Sequence, residues 1–228
     1  MNLLLIGCTG FIGRELIPLL LTEGHKLTVV TRNQKKALST IDLGRESKIL
    51  NIDPAKSSSW ENEELINCLK QSEGVINLAG EPIAEKRWTT THCQVIRNSR
   101  LKTTKNLIQA IQKIKKPPKV LINASAIGFY GTHPNKQFNE ESTPGKDFLA
   151  SLCQEWESLA SERPRRTRLV IIRIGIVLAK DGGALGKMLP IFRSGLGGPI
   201  GDGGQWMSWI HRTDLCNIIK ESIRNSSC

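Results

Sequence analysis

Three glycines near the amino terminus constrain the fold more than any other feature of this sequence. Gly7, Gly10 and Gly13 follow one another at intervals of three residues, after the apolar run that begins at residue 2. A helical pattern over 11–21 comes directly after them. This order predicts a strand, a tight turn and a helix start, which together bind a dinucleotide at the positive end of a helix. A strand-turn-helix corner without a ligand is the alternative.

Each glycine has its own expected task in such a site. Gly7 lets the chain turn sharply off the strand, Gly10 leaves room for a pyrophosphate against bare backbone, and Gly13 lets the helix pack close to the sheet. The spacing G-x-x-G-x-x-G differs from the G-x-G-x-x-G of ordinary dehydrogenases. A second apolar strand at 26–31 follows, as a dinucleotide-binding unit requires.

The end of the second predicted strand indicates which dinucleotide is bound. NAD enzymes usually have an Asp or Glu there, which accepts hydrogen bonds from the ribose, whereas a basic residue favours the extra phosphate of NADP. This sequence has Thr31 and Arg32 at that point, followed by Lys35 and Lys36, and no carboxylate between positions 26 and 40. We therefore predict NADP as the cofactor, with a solvated basic loop as the alternative.

The net charge is strongly positive, because lysine and arginine exceed the acidic residues by 11. Such an excess would suit an anionic partner such as nucleic acid or a membrane surface. Its densest clusters, 113–119 and 163–168, each precede an apolar strand, where basic residues complement the end of a helix. One tyrosine and five phenylalanines offer little surface for stacking bases. We expect a small-molecule substrate, and neither a nucleic acid nor a membrane partner.

Cysteine usage points to a reducing compartment. The six cysteines form no Cys-x-x-Cys pair and no metal-like cluster with the four histidines. The first strand begins at residue 2, which leaves no room for a signal peptide, and no apolar run reaches the ~18 residues of a membrane span. The sequence predicts a cytoplasmic protein without a metal site.

Apolar strands alternate with helical segments along the chain. The predicted strands are 2–7, 26–31, 48–52, 74–79, 119–125 and 168–178. The predicted helices are 11–23, 61–71, 92–115 and 147–162, the second with the serines 57–59 as capping candidates. Continuous apolar strands are typical of a parallel sheet covered on both faces. The fold class is therefore α/β, a Rossmann-like doubly wound parallel sheet.

Glycines interrupt the apolar residues of the segment 181–205. We interpret this segment as a binding loop or lid over the carboxyl edge of the sheet, where ligands of open α/β folds sit. A disordered linker is the alternative. We expect residues 1–180 to form an NADP-binding domain and residues 181–228 to form a glycine-rich substrate loop with a partial C-terminal segment packed on that domain.

Several motifs along the chain resemble the extended short-chain dehydrogenase/reductase superfamily. They include Gly-Cys-Thr-Gly-Phe-Ile-Gly at 7–13, Ile-Asn-Leu-Ala-Gly-Glu at 76–81, Ala-Ser-Ala-Ile-Gly-Phe-Tyr-Gly at 124–131 and Trp-Met-Ser-Trp-Ile-His-Arg-Thr-Asp-Leu at 206–215. More narrowly, the chain resembles epimerase family proteins, a branch also described as nucleoside-diphosphate-sugar epimerase-like or as SulA-like cell division inhibitors. Members of that branch are longer, so the resemblance implies either that this chain is truncated or that their small C-terminal substrate domain is largely absent here.

The resemblance implies further cofactor contacts. These are Thr9, Phe11 and Ile12 in the glycine loop, Asp53 at the adenine, Leu78, Ala79 and Gly80 along the ribose and pyrophosphate, and Arg100 at the NADP phosphates. Each has a structural alternative: a turn residue before Pro54 for Asp53, an ordinary strand end for 78–80, and a helix-surface charge for Arg100.

The catalytic pattern of the superfamily is not reproduced. Active members use an Asn, a Ser or Thr, and a Tyr-x-x-x-Lys pair whose tyrosine exchanges a proton with the substrate oxygen. Here the expected Asn position falls at Arg100 and the expected Ser position at Ala126, and the helix over 147–157 contains neither tyrosine nor lysine. Three substitutes are candidate catalytic residues: Tyr130, Ser125 and His211. Packing, substrate contact or a structural histidine are the alternatives, and Asp214 is expected to cap the following helix.

Two functions follow from this pattern. The first is an NADP-binding oxidoreductase or epimerase-like enzyme that acts on a carbonyl compound or a nucleotide sugar. The second is a non-catalytic NADP-binding regulator, which the missing Tyr-x-x-x-Lys pair favours and which the family label alone connects with cell division. The substrate is left open, and so is a homodimer.

Overall fold

The computed structural model describes residues 1–44, 46–199 and 201–225. Its strands are Asn2–Ile6 (β1), Lys26–Thr31 (β2), Lys48–Asn51 (β3), Gly74–Asn77 (β4), Val120–Ala126 (β5), Arg168–Ile174 (β6), Ile176–Ala179 (β7) and Trp209–His211 (β8). Its α-helices are Gly13–Thr22 (α1), Gln34–Leu38 (α2), Glu63–Gln71 (α3), Thr90–Gln112 (α4), Phe148–Ser161 (α5), Gly183–Arg193 (α6) and Arg212–Arg224 (α7).

The first six strands form one parallel sheet in the order β3-β2-β1-β4-β5-β6. The chain builds outward from β1 through β2 to β3, and then returns to the other side of β1 with β4. This reversal leaves a crevice at the carboxyl ends of β1 and β4, where ligands of open α/β sheets bind. The Rossmann-like doubly wound fold predicted from the sequence is confirmed.

Apolar layers cover both faces of the sheet, which explains why its inner strands are continuously apolar. On one face, Leu3 and Leu5 of β1 pack in a cluster with side chains of α1 and α7. On the other face, Leu4 and Ile6 pack in a cluster with side chains of α3 and α4. Because α7 shares a core with α1, the segment after residue 180 packs on the same body as the first strand. The domain boundary at residue 180 stays a prediction.

The predicted strand 168–178 is two strands in the structure. It divides at Gly175, and β7 leaves the main sheet to pair in parallel with β8. A Cβ atom on Gly175 would lie 2.8 Å from the carbonyl oxygen of Ser208. The missing side chain therefore allows the segment before β8 to approach the backbone at the point of division.

The segment 181–205 is more regular than the predicted loop, since α6 occupies residues 183–193 despite Pro190 within it. The serines 57–59 do not cap α3 but lie in a 3₁₀ helix, Ser57–Glu61. Asn62 caps α3 instead, with its side-chain oxygen accepting a hydrogen bond from the Leu65 amide at 2.9 Å. Across the described residues, no helix combines the length and apolarity needed to cross a membrane.

Candidate functional site

A cleft of about 410 Å³ lies at the carboxyl ends of β1, β2 and β4, where the strand order reverses. We call it the β1–β4 cleft. Residues that the sequence analysis selected at four separate places line it together: Gly7, Thr9, Gly10, Thr31, Arg32, Asp53, Ala79 and Gly80. Other lining residues were not predicted as site residues, among them Asn33, Lys36, Pro82, Ser99 and Thr103.

The three glycines of the loop differ in what surrounds them. Gly7 has a φ of +75°, and a Cβ atom there would lie 2.4 Å from the Ala79 amide nitrogen. A Cβ atom on Gly13 would lie 1.6 Å from the carbonyl oxygen of Cys8. Gly10, by contrast, has open space on its side-chain face, since a Cβ atom there would have no neighbour within 4 Å among the residues that the structure describes. Two glycines therefore permit close backbone packing, and Gly10 leaves a space in the cleft.

Helix α1 begins at Gly13, three residues after Gly10, which lines the cleft. Its N-cap residue is Ile12, which makes no side-chain capping hydrogen bond. The amide groups at the start of a helix carry partial positive charge, which favours an anion. The open face of Gly10 and this helix start therefore fit a diphosphate, with the close approach that an absent side chain permits.

Phe11 and Ile12 are not among the described residues that line the β1–β4 cleft, and both contact residues after position 180. The guanidinium carbon of Arg212 lies 4.7 Å from the centre of the Phe11 ring. Gly182 packs against the same ring, since a Cβ atom there would lie 2.9 Å from the Phe11 Cδ2 atom. The carbonyl oxygen of Ile12 lies 3.8 Å from the Cys216 Sγ atom. These two residues thus connect the glycine loop to α7 and to the turn before α6.

Arg212 at the start of α7 holds three segments together. Its guanidinium forms ion pairs with Glu15 of α1 at 2.6 Å and with Asp181 at 2.9 Å. Burial opposes ionisation of Glu15, but hydrogen bonds from Thr213 and Arg212 outweigh this effect and lower its pKa. The carboxylate is thereby stabilised in its charged form beside Arg212. This pairing fixes α7 and the turn at 181 against the helix that begins at the cleft.

Positive charge lies at the β2 and β3 side of the cleft. Arg32 is 65% exposed, and Lys36 lines the same wall. Asn33 fixes the intervening turn, because its side-chain oxygen accepts from the Lys36 amide at 3.0 Å. Asp53 lines the cleft and also accepts from the Ala55 amide at 3.1 Å. Asp53 is therefore a turn residue as well as a candidate adenine contact.

Arg100 donates to the backbone in the structure, and its expected contact with the NADP phosphates stays a prediction. Its Nη1 atom donates to the carbonyl oxygens of Glu81 at 3.0 Å and Ile96 at 3.1 Å. Its guanidinium carbon lies 5.3 Å from the centre of a Trp156 ring, and burial lowers the pKa of the group. Arg100 is also not among the residues that line the described cleft. Arg100 therefore supports the backbone of the segment after β4 without lining the cleft.

Leu78 also differs from Ala79 and Gly80 in its surroundings. Its side chain packs against the core shared by β1, α1 and α7, and its amide donates to the Ile6 carbonyl oxygen at 2.9 Å. Leu78 thus extends the pairing of β4 with β1, as an ordinary strand end does. Ala79 and Gly80 are the residues of this segment that line the cleft.

A partly buried polar cluster lies at the carboxyl ends of β5 and β6. We call it the Glu157 cluster, and its members are Ser125, Tyr130, Glu157 and Arg173. The Ser125 hydroxyl donates to Glu157 Oε1 at 2.5 Å. Arg173 donates to both oxygens of the same carboxylate, at 2.9 and 2.8 Å, and its Nη1 atom donates to the Tyr130 hydroxyl oxygen at 2.8 Å. The hydrogen bond to Glu157 raises the pKa of Arg173.

The cluster contains two residues that the sequence analysis missed. Glu157 lies on α5, one helical turn after Cys153, and both are buried. Burial raises the pKa of the Cys153 thiol, while hydrogen bonds with Ser125 and the Ala126 backbone oppose the rise. Cys153 and Glu157 have the four-residue spacing of Tyr-x-x-x-Lys. Ser125, which precedes the expected serine position at Ala126, is the residue whose hydroxyl reaches this helix. The sequence did contain one signal for this cluster, because Arg173 is a charged residue inside an otherwise apolar strand.

His211 has a structural role in the described residues. It lies at the N-cap of α7, where its ring Nδ1 atom accepts from the Thr213 amide at 3.3 Å. Asp214, which was expected to cap this helix, lies within its first turn instead. The imidazole supplies the acceptor that the first turn of α7 needs, and a catalytic role for His211 stays a prediction.

We expect replacement of Glu157 by glutamine to lower the free energy of unfolding by about 2 kcal/mol. This loss is smaller than that for breaking a fully buried ion pair, because both side chains keep some exposure. The Glu157 and Arg173 side chains are 11% and 20% exposed, and glutamine would leave the guanidinium without a counter-charge. Glu155→Gln is the matched control, since Glu155 lies on the same helix, pairs with Arg97 and is 42% exposed. It should cost less than about 1 kcal/mol. Urea unfolding measures both, and equal losses would contradict a special role for Glu157.

Comparison with known proteins places the chain among longer relatives. An Arabidopsis thaliana protein, named as a chloroplastic epimerase family protein SDR39U1 homolog, is 41% identical over 229 residues. The match covers 100% of this chain and 63% of that protein. The chain therefore spans less than two thirds of this relative's length, and 70% of the length of the human epimerase family protein SDR39U1. The cytoplasmic location predicted from the sequence stays a prediction.

Solved structures give the same affiliation. The human epimerase family protein SDR39U1, crystallised with NADPH, superposes with a TM-score of 0.84 at 35% identity, covering 100% of this chain and 72% of that one. A nucleoside-diphosphate sugar epimerase from Corynebacterium glutamicum has a TM-score of 0.80 at 29% identity, covering 100% and 44%. None of these relatives carries a cell-division name. The model of the NAD dependent epimerase/dehydratase family matches residues 3–227, and the chain belongs to this family.

Proposed function

We propose that this chain binds NADPH in the β1–β4 cleft and acts as an oxidoreductase or epimerase-like enzyme on a carbonyl compound or nucleotide sugar. The observation that carries the proposal is the meeting of Gly7, Gly10 and Arg32 in one cleft. The human relative crystallised with NADPH supports the choice of cofactor. A bound NADPH would supply a hydride to the substrate.

The chain offers separate contacts for each part of the cofactor. The open face of Gly10 and the start of α1 would hold the pyrophosphate. Arg32 and Lys36 would bind the 2′-phosphate, with the guanidinium able to make two parallel hydrogen bonds. Asp53 would accept from the adenine, and Ala79 and Gly80 would allow close approach of a ribose.

The Glu157 cluster would provide the proton chemistry. Because Arg173 donates to the Tyr130 oxygen, the phenolic hydrogen is free to be donated to a substrate oxygen. Tyr130 would then be the proton donor in carbonyl reduction, and Ser125 would help to orient the substrate. The carboxylate of Glu157 fixes both partners, since Ser125 and Arg173 donate to it.

A non-catalytic NADPH-binding regulator is the second candidate. It is favoured by one observation: α5 presents Cys153 and Glu157 at the spacing at which active members have tyrosine and lysine. A broad panel of carbonyl compounds, followed as NADPH loss at 340 nm, separates the two candidates. Turnover supports the enzyme, and binding without turnover of any compound supports the regulator. A cytoplasmic location and a homodimer remain predictions.

We expect NADPH to bind more tightly than NADH, and Arg32→Asp to reverse that preference. A charged hydrogen bond to phosphate contributes about 1.5–3 kcal/mol, so the loss for NADPH should be about tenfold or more. Lys35→Asp makes the same change of charge at an exposed neighbour outside the lining of the described cleft. It should change the preference far less. Calorimetry that finds equal affinity for the two cofactors in the parent protein would reject the assignment of Arg32.

A further inference from the structure

We propose that Glu81 competes with the cofactor's 2′-phosphate for Arg32, and so sets how strongly the site prefers NADPH over NADH. The inference rests on the proposed function, whose adenine-side subsite it describes in more detail. Glu81 follows β4, and its carboxylate oxygens lie 3.8 Å from Arg32 Nη2 and 4.0 Å from Lys86 Nζ. The cation that would bind the phosphate therefore already has an anionic partner from the other side of the cleft.

The backbone of Glu81 is firmly anchored. Its amide donates to the Ser99 hydroxyl at 2.9 Å, and its carbonyl oxygen accepts from Arg100 at 3.0 Å. The residues on either side of it, Gly80 and Pro82, both line the β1–β4 cleft. The observed position of Arg100 thus has a consequence for binding, because it fixes the carboxylate beside the cleft.

Arg32 is the more exposed member of the pair. Its side chain is 65% exposed, against 18% for Glu81, and arginine has many rotamers. A 2′-phosphate at this point either draws Arg32 away from the carboxylate or lies beside both groups. In the first case the ion pair is lost, and in the second the phosphate and the carboxylate repel each other. Both cases weaken the binding of a 2′-phosphate.

NADH has no 2′-phosphate and gains little from a free Arg32. The Glu81 carboxylate therefore weakens the binding of NADPH more than that of NADH. The preference for NADPH is then smaller than Arg32 and Lys36 alone would make it. Specificity at this site is then a difference between an attractive pair of cations and a repulsive carboxylate. Sequence alone does not reveal this arrangement, because Arg32 and Glu81 are 49 positions apart and lie after different strands.

The test compares Glu81→Gln with the parent protein, using 2′,5′-ADP and 5′-AMP as probes, which differ only in the 2′-phosphate. An exposed ion pair contributes up to about 1 kcal/mol, so 2′,5′-ADP should bind up to about fivefold more tightly to the variant. The affinity for 5′-AMP should change by less than about 1.5-fold, because that probe does not need Arg32. NADPH and NADH should follow the same pattern in calorimetry.

Two further variants isolate the pair. Glu85→Gln removes the same charge from an exposed residue of the same segment, for which the described residues show no ion-pair partner. It should leave the ratio of the two affinities unchanged. In an Arg32→Gln background, Glu81→Gln should lose most of its effect, since a double-mutant cycle reports the coupling of the two side chains.

The outcomes separate this inference from the proposed function. Equal gains for both probes, equal gains from Glu85→Gln, or weaker binding of 2′,5′-ADP to Glu81→Gln would each overturn the role of Glu81. If the parent binds NADPH and Glu81→Gln alters nothing, only the inference fails. If NADPH and 2′,5′-ADP bind neither the folded parent nor the folded variant, the cofactor assignment fails together with it.

Discussion

Replacement of Gly10 by valine is expected to abolish NADPH binding, with a loss of at least about 100-fold in affinity, or about 2.8 kcal/mol. The branched side chain would fill the open space above Gly10 and exclude a diphosphate from the backbone at the start of α1. Because nothing in the described structure lies within 4 Å of the added Cβ position, we expect the free energy of unfolding to change by less than about 1 kcal/mol.

Gly13→Ala provides the contrast. Its Cβ atom would lie 1.6 Å from the Cys8 carbonyl oxygen, so the backbone must shift and the protein should lose stability. Fluorescence titration with NADPH and urea unfolding measure both variants. Gly10→Val should lose binding and keep its stability, whereas Gly13→Ala should lose stability. Unchanged binding in a stable Gly10→Val protein would remove Gly10 from the site.

The sheet and the glycine loop could be predicted because their signals are local. Continuous apolar runs indicate strands that are buried on both faces, and each such run forms one parallel strand, except 168–178, which forms two. The roles of Gly7 and Gly13 follow from close packing that only glycine permits, which the distances to Ala79 and Cys8 now describe. Arg32 could be found because it directly ends an apolar strand.

Residues whose function depends on the direction of a side chain could not be predicted. Arg100 is a cation on a helix next to the cleft, and only the packing of Trp156 and Gly80 against it shows that it supports the chain from behind. The Glu157 cluster likewise depends on tertiary structure. Ser125 and Arg173 are paired by the register of β5 and β6, and Glu157 reaches them from a helix 16 positions before Arg173.

The segment 181–205 illustrates a different limit. Its glycines favour a loop, and Pro190 disfavours a helix interior, but α6 forms and packs against β7. Tertiary contacts outweigh intrinsic propensity here, as the contact between Gly182 and Phe11 indicates. Composition alone therefore did not give the secondary structure of this segment, and its role as a binding loop stays a prediction.

Tyr130→Phe is expected to slow carbonyl reduction by about 10²- to 10⁴-fold, the usual contribution of one positioned acid or base. The affinity for NADPH should change by less than about twofold, because Tyr130 is not among the described residues that line the β1–β4 cleft. The substitution removes only the hydroxyl that accepts from Arg173 at 2.8 Å. The ring that stacks on Phe138, with 5.3 Å between the centroids, is preserved.

Phe138→Leu tests the packing role separately, because it removes the stacked ring and leaves the Tyr130 hydroxyl in the chain. If Tyr130 acts as the proton donor, Tyr130→Phe should reduce the rate far more than Phe138→Leu does. A loss below about tenfold in Tyr130→Phe would mean that Tyr130 packs or touches the substrate without transferring a proton. If the parent protein binds NADPH and converts no compound of a broad carbonyl panel, the regulator becomes the better explanation, because binding would then persist without the chemistry that the Tyr130 hydroxyl is proposed to perform.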